Sequence, residues 1–222
     1  MMNMTEKTVN VATSNTKTKA PGKVKLCVRQ MTFISMMGAV SGVLMLFQFT
    51  LPLLPDFMSF DFSPIPEMIG GLMFGPVSAF YIIIVKILIH LVTQGSTSIG
   101  TGELQNLILG CAYVMPAILI YNTKKTKKRA LIGMIVGTIS VSIASIFSNL
   151  YIIMPFYAKL SGNTVDYFVN MCIGINPFIK DTLTLALFGI FPFNLIKYGV
   201  SSILTFILYK RLSRVIRSYI NR

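Results

Sequence analysis

The chain has 222 residues, of which 54% are hydrophobic and 12% are charged. Soluble domains carry about 25% charged residues, so this composition excludes an ordinary soluble protein. A formal net charge of +13 would suit a nucleic-acid-binding protein, but the basic residues gather in three clusters beside apolar runs, at 7–29, 124–129 and 210–222. Such clusters mark the cytoplasmic segments of membrane proteins. We therefore expect a multi-pass protein surrounded by the lipid bilayer, with no nucleic-acid partner.

The first apolar run covers 31–53 and carries small residues at four-residue spacing. Ser35 with Ala39, and Gly38 with Gly42, form a stripe that allows another helix to approach closely. The spacing alone leaves open whether that helix belongs to this chain or to a partner subunit. The proline-flanked loop that follows contains no basic residue and is predicted to lie outside the cell.

The apolar run from 65 to 92 is predicted to cross the membrane twice. Gly75 and Pro76 interrupt it, and a proline within a helix removes a hydrogen bond and clashes with the preceding turn. The basic N-terminal tail and the basic loop should lie on the same side of the membrane, so an even number of spans must separate them. Two crossings in this run satisfy that condition. The first crossing, 66–73, is short, so we expect it to be tilted or deeply packed.

Three further spans complete an all-α architecture of six transmembrane helices with both termini in the cytoplasm. They are expected at 104–121, 130–153 and 190–209, with a long external connection at 155–181. In this arrangement 16 of the 20 lysines and arginines lie in cytoplasmic segments, six in the N-terminal tail, five in the loop and five at the C-terminus. This charge separation is the pattern that membrane insertion produces.

The domain organisation follows from the same pattern. Residues 1–30 are predicted to be a disordered basic cytoplasmic tail, because they are polar and contain no apolar core. Residues 31–214 form the predicted six-helix membrane domain. Residues 215–222 are predicted to be a second basic cytoplasmic tail.

Polar side chains from several predicted elements converge at one level beneath the outer surface. Asn194 and Lys197 lie three residues apart, which places them on one helical face inside an apolar run. A lysine at lipid depth is costly unless it faces a cavity or a partner, so the pair predicts a functional site. The other members of this level are Asp61, Lys86, His90, Glu103 and Asn149. We expect an outward-opening small-molecule site lined by aromatic residues and methionines.

Several of these residues also have a structural explanation. Asn149 can join helices, His90 can be a satisfied interfacial histidine, and Lys86 can form an ion pair with Glu103. Glu103 can also simply favour the N-terminal end of its helix dipole. The sequence contains none of the common motifs of ATPases, hydrolases or metalloenzymes. We therefore expect no enzyme, no cofactor and no metal, and any ATP-driven role would need partner subunits.

A set of motifs spread over 31–214 carries a family resemblance. They lie at 33–39, 51–55, 60–63, 69–76, 100–106 and 192–197. The most specific are Asp-Phe-Ser at 61–63 and Asn-Leu-Ile-Lys at 194–197. These motifs resemble those of the substrate-specific (S) components of energy-coupling factor (ECF) transporters, in particular the riboflavin-binding type.

The resemblance implies a six-helix subunit of a bacterial plasma membrane that binds riboflavin from outside. It would dock on the transmembrane subunit EcfT, which carries two EcfA-type ATPase subunits. The stripe on the first helix would face EcfT, through Ser35, Gly38, Ala39 and Gly42. The riboflavin contacts that the motifs imply are Asn149, Asn194 and Lys197, and residues 53–61 would form a lid.

Riboflavin is compatible with these residues because it is neutral and planar. Its pyrimidine edge alternates acceptors and a donor, which asparagine amides can match. Lys197 would donate a hydrogen bond to a carbonyl or hydroxyl oxygen, while Phe57 and Phe60 would supply apolar walls. Two alternatives stay open: an S component for another vitamin, such as pantothenate or folate, and, as the weaker one, an integral-membrane enzyme.

Overall fold

The structure, a computed structural model, describes residues 28–50, 58–96, 100–162, 164–165, 169–170, 173 and 179–220, with side chains as far as residue 209. Its elements, in chain order, are α1 (Val28–Leu46), β1 (Phe49–Thr50), β2 (Ser59–Phe60), α2 (Pro64–Phe74), α3 (Pro76–Gln94), α4 (Thr101–Thr123), α5 (Lys127–Ser148), the π-helix π1 (Asn149–Ile153), α6 (Met154–Ser161), α7 (Thr182–Leu185), the π-helix π2 (Ala186–Ile190) and α8 (Phe191–Ile220).

Five stretches of the described chain are long and apolar enough to cross a membrane. They are Val28–Leu46, Pro76–Gln94, Thr101–Thr123, Lys127–Ser161 and Thr182–Tyr209. Large apolar side chains such as Leu119, Ile135 and Ile203 are exposed on their outer faces, as expected for helices that contact lipid. With α2, these stretches make up the six helices predicted from the sequence.

Helix α2 is the short element of the bundle and its most enclosed one. It has 11 residues, and every residue from Pro64 to Leu72 is buried. It packs against α1, α3, α4 and α8, so protein rather than lipid covers its surface. Gly75, at a φ of 94°, then turns the chain into α3. The expectation of a short, deeply packed crossing that ends at Gly75 and Pro76 agrees with this geometry.

The last two spans are longer than predicted, and each contains a π-helical turn. The fifth continues from α5 through π1 into α6 and ends at Ser161, and the last begins at Thr182 and continues to Ile220. The predicted C-terminal tail therefore forms a helix as far as residue 220. Most of the predicted N-terminal tail, up to residue 27, lies outside the described residues, as does much of the connection at 155–181.

The stripe of small residues on α1 divides into two faces. Gly38 and Gly42 are buried against α3, where an added Cβ would meet the side chains of Val85 and Ile89 at 2.6 Å and 2.8 Å. These two glycines therefore serve helix packing within the chain, which corrects their assignment to a partner surface. Ser35 and Ala39 are exposed.

A second close helix contact was not predicted and lies between α4 and α5. A Cβ added to Gly133 would lie 2.5 Å from the carbonyl oxygen of Ala117, and one added to Gly137 would lie still closer to the carbonyl oxygen of Tyr113. Glycines four residues apart let the two backbones approach closely. This contact fixes α5 against α4, and α5 also packs on α8.

Candidate ligand-binding cavity

A cavity of about 390 Å³ lies among the ends of α1, α3, α4, π1, α6, π2 and α8. Small-molecule sites have volumes of roughly 300–1,000 Å³. Its apolar lining comes from methionines and aromatic residues, among them Met45, Met58, Met154 and Phe193. Its polar lining includes four of the predicted site residues, Glu103, Asn149, Asn194 and Lys197, together with His90 of the same predicted level.

Asn149 and Asn194 present the same hydrogen-bonding arrangement on two different helices. Each uses its Nδ2 to donate to the carbonyl oxygen four residues earlier, Asn149 to Ser145 at 2.8 Å and Asn194 to Ile190 at 2.9 Å. A carbonyl oxygen can only accept, so each amide must point its nitrogen at its own helix. No group among the described residues donates to either Oδ1. The cavity therefore contains two fixed acceptors.

The two π-helices lie at this same cavity. Asn149 and Ile153 of π1 and Ile190 of π2 all contribute to its lining. In each π-helix a backbone N–H bonds to the carbonyl five residues back, Met154 to Asn149 and Phe191 to Ala186. Such turns widen a helix locally and occur frequently at functional sites. Their presence on two facing helices was not predicted, since π turns have no clear sequence signature.

Lys197 contacts the segment that follows β2. Its Nζ donates to Asp61 Oδ2 at 2.6 Å and to the carbonyl oxygen of Ser59 at 3.1 Å. A lysine ammonium has three donors, so these contacts, within the described residues, leave one N–H for the cavity. The resemblance implied that this lysine contacts the ligand; the structure adds a carboxylate partner, Asp61, that holds it in place.

Asp61 is buried beside the cavity but does not line it. Its Oδ1 accepts a hydrogen bond from the backbone N–H of Ser63 at 2.8 Å. Burial acts to raise the pKa of Asp61, but the charges of Lys197 and Lys86 and the hydrogen bonds to the carboxylate outweigh it, and the pKa lies below its ordinary value. Asp61 is therefore ionised at neutral pH. The prediction of a direct ligand contact is corrected: Asp61 positions Lys197.

Lys86 does not reach the cavity, which corrects its prediction as a ligand contact. Its Nζ lies 2.5 Å from Glu67 Oε1 and 3.3 Å from the hydroxyl of Ser63. The alternative of a pair with Glu103 is wrong as well, because the buried helix α2 brings Glu67 closer. The sequence carried one signal for this pair: a buried lysine needs a counter-ion, and Glu67 lies within an apolar run.

Glu103 and His90 form a second polar group in the cavity wall. Glu103 lies in the first turn of α4 and accepts a hydrogen bond from the hydroxyl of Ser96 at 3.0 Å. His90 Nδ1 lies 3.6 Å from Glu103 Oε1, which is too long for a hydrogen bond. His90 is only 5% exposed, and neither ring nitrogen has a hydrogen-bond partner among the described residues.

The predicted aromatic walls are only partly in place. Phe60 is buried and its ring contacts those of Phe49, Phe62 and Phe193. Of these, only Phe193 lines the cavity, so Phe60 supports the wall from behind, which corrects its prediction as a direct contact. Phe57 and most of the predicted lid lie outside the described residues. Sequence reasoning did not select Gln48, Gln105 and Asn106 as site residues, although all three line the cavity.

The fold and the cavity define a class: a multi-pass membrane protein with a solute-sized polar site between its helices. The family model described as "ECF transporter, substrate-specific component" matches residues 29–209. The chain therefore belongs to the family of substrate-specific components of ECF transporters. The family consists of transporter subunits rather than enzymes, and the resemblance inferred from the motifs is confirmed.

Named relatives cover most of the chain. It is 30% identical over 200 residues to "Riboflavin transporter RibU" of Staphylococcus aureus (strain TCH60), which covers 88% of this chain and 98% of that protein. It is 27% identical over 188 residues to "Riboflavin transporter FmnP" of Bacillus subtilis (strain 168), covering 83% and 92%. A solved structure described as "Structure and mechanism of the S component of a bacterial ECF transporter" superposes with a TM-score of 0.66 at 26% identity, over 85% of this chain and 97% of that one.

Proposed function

We propose that this chain captures riboflavin in the cavity and presents it to an ATP-driven uptake complex. The observation that carries the proposal is the pair of asparagines. Asn149 and Asn194 each hold Nδ2 on their own helix, and each leaves an Oδ1 acceptor in a cavity with apolar walls. Relatives named riboflavin transporters, at 27–30% identity over most of their length, support the same ligand.

The isoalloxazine edge of riboflavin offers hydrogen-bonding partners to these groups. Its ring N–H lies between two carbonyl oxygens, so an asparagine Oδ1 can accept from the N–H. The remaining N–H of Lys197 can donate to one of the carbonyl oxygens. The methionines and Phe193 suit the flat apolar faces and the dimethylbenzene end of the ring. The volume of the cavity is that of a small-molecule site.

The charge of the cavity favours a neutral ligand over an anionic vitamin. Pantothenate and folate carry carboxylates, which need a free cation or several donors. The lysine in the lining, Lys197, is already paired with Asp61 at 2.6 Å. Glu103 adds a negative charge to the same lining. Riboflavin requires no counter-ion, so it fits the pairing that is present.

The partners that we propose are EcfT and two EcfA-type ATPase subunits. The family to which the chain belongs is defined by its place in an ECF transporter. The exposed pair Ser35 and Ala39 lies on the face of α1 that is not used against α3. A small-residue surface of this kind allows a second membrane helix to approach closely, and we assign the contact with EcfT to it.

Fluorescence quenching of riboflavin by the purified protein tests the ligand assignment. We expect Asn149→Leu and Asn194→Leu, which keep the side-chain shape, each to weaken binding by about tenfold or more, because a ligand N–H or hydroxyl loses its acceptor. Asn122→Leu is the matched control, since Asn122 is exposed near the cytoplasmic end of α4. Equal affinity in all three variants would refute the site.

A further inference from the structure

His90 is a buried polar side chain of the cavity to which the proposed transport role assigns no function. It is 95% buried, lines the cavity and, within the described part of the chain, offers two ring nitrogens without a hydrogen-bond partner. An unpaired buried polar group is costly. Its carboxylate neighbour Glu103 stops 3.6 Å away, so a group from a ligand can complete the arrangement.

The charges near His90 and Glu103 nearly cancel, but one carboxylate has no cationic partner among the described residues. The charged side chains of the cavity lining and of the two buried ion pairs beside it are three carboxylates and two lysines: Glu103 on α4, Glu67 on α2, Asp61 after β2, Lys86 on α3 and Lys197 on α8. Lys86 pairs with Glu67 and Lys197 pairs with Asp61. Glu103 is therefore the uncompensated charge whenever His90 is neutral.

We propose that His90 and Glu103 form a charge-selective subsite for the hydroxyl-rich ribityl chain of the flavin, one that disfavours an anionic ester on that chain and relaxes when His90 is protonated. This inference rests on riboflavin being the ligand. Ribityl hydroxyls both donate and accept hydrogen bonds, so they can donate to Glu103 and form hydrogen bonds with the ring nitrogens of His90. The negative charge of Glu103 repels an ester anion at either of these contacts.

Protonation of His90 changes this balance. Histidine changes charge between about pH 5 and pH 8. When His90 carries a proton, it compensates Glu103, and both ring nitrogens become donors that an anionic oxygen accepts from. Discrimination against the anion should then fall at acidic pH. The neutral flavin serves as an internal reference, since it carries no charge for either residue to repel.

The test compares riboflavin with riboflavin 5′-sulfate, whose charge is constant across the range, at about pH 5.5 and about pH 8. The quantity measured is the ratio of the two dissociation constants, the sulfate value over the riboflavin value, from fluorescence quenching. In the wild-type protein we expect this ratio to fall roughly fivefold to tenfold on acidification, the effect of one unit charge a few ångströms away in a partly solvated site. This comparison needs only the wild-type protein.

Three variants assign the effect to residues. We expect His90→Gln, which keeps hydrogen-bonding capacity but cannot be protonated, to remove most of the pH dependence of the ratio. We expect Glu103→Gln to lower the ratio at both pH values. The control is Asp181→Asn, which removes an exposed carboxylate outside the cavity and keeps a capping side chain at α7; it should behave as wild type.

The possible outcomes distinguish the subsite from riboflavin capture itself. Saturable riboflavin binding with a ratio that does not change with pH, or that changes equally in His90→Gln, would overturn the subsite while leaving riboflavin capture standing. A ratio in Glu103→Gln equal to that of wild type would overturn it as well. Absence of riboflavin binding in the wild-type protein would overturn the proposed function and this inference together.

Discussion

Lys86 and Lys197 are both almost completely buried, at 2% and 7% exposure, and each lies within 2.6 Å of one carboxylate. Their surroundings differ. Lys86 is enclosed by α2 and α3 and contacts only the protein, whereas Lys197 also lines the cavity. The same type of ion pair is thus enclosed within the bundle in one place and, in the other, holds the donor that we propose for the ligand.

The two pairs are also connected through Ser63. Ser63 accepts from Lys86 through its hydroxyl, donates its backbone N–H to Asp61, and accepts from Ser41 of α1 through its carbonyl oxygen. The segment before α2 is therefore fixed from both sides. A donor held this way is preorganised for a ligand, which reduces the ordering cost of binding.

The largest effect is expected from breaking the enclosed ion pair of Lys86 and Glu67. Lys86→Met leaves Glu67 buried and uncompensated, and loss of one partner of a buried ion pair costs about 3–5 kcal/mol. Thermal unfolding in detergent should show this loss. The double variant Lys86→Met/Glu67→Met should regain most of the stability, because no unpaired charge remains. A single variant as stable as wild type would contradict the structural role of the pair.

The second-largest effect is expected at the ion pair of Lys197 and Asp61, where ligand binding and stability can be measured separately. Lys197→Met should weaken riboflavin binding about tenfold or more, by loss of a donor, and should also destabilise the fold by leaving Asp61 unpaired. Adding Asp61→Asn should restore stability but not affinity. Calorimetric unfolding and flavin titration of both variants measure the two quantities. Recovery of affinity in the double variant would show that Lys197 acts only as a counter-ion.

A smaller effect is expected on α1, where Gly38 is buried and Ala39 is exposed. Gly38→Ala places a Cβ against Val85, and overpacking of this kind costs about 1–3 kcal/mol. Ala39→Leu lies on the exposed face and should leave the stability of the isolated subunit close to that of wild type. Copurification with EcfT should show the reverse order, with Ala39→Leu weakening assembly more. Equal effects of the two substitutions on assembly would remove the distinction between the faces.

The smallest effect is expected on acidification. The pKa of Asp61 is lowered in the folded protein, so its contribution to stability is present above the unfolded pKa of about 3.9 and is lost as pH falls through the folded pKa. Unfolding of wild type should therefore become easier below about pH 4, and Asp61→Asn should lack this component. The same pH dependence in both proteins would assign it to other carboxylates.

Much of this architecture could be predicted from the sequence. The basic clusters gave the topology, and Gly75 with Pro76 gave the turn between α2 and α3. Asn149, Asn194, Lys197 and Glu103 were placed at one level because each lies near the outer end of its helix, and the structure brings all four to one cavity. These predictions depend on position along a helix, which hydropathy and charge determine.

The pairing of the charges could not be predicted in the same way. Lys86 has three carboxylates at comparable depth, and the choice of Glu67 depends on the rotation of α2. The two faces of the α1 stripe likewise depend on which side meets α3, because glycines and small polar residues have similar spacing in the sequence. Rotation about a helix axis is set by packing, and no local pattern records it.

The measurement that tests the central claim most directly is a riboflavin titration of the purified wild-type protein, with pantothenate and folate as competitors. We predict saturable quenching with one flavin per chain, unaffected by either anionic vitamin in large excess, because the lysine lining the cavity is already paired with Asp61. Absence of saturable quenching, or displacement of the flavin by pantothenate or folate, would contradict a cavity built for a neutral flavin.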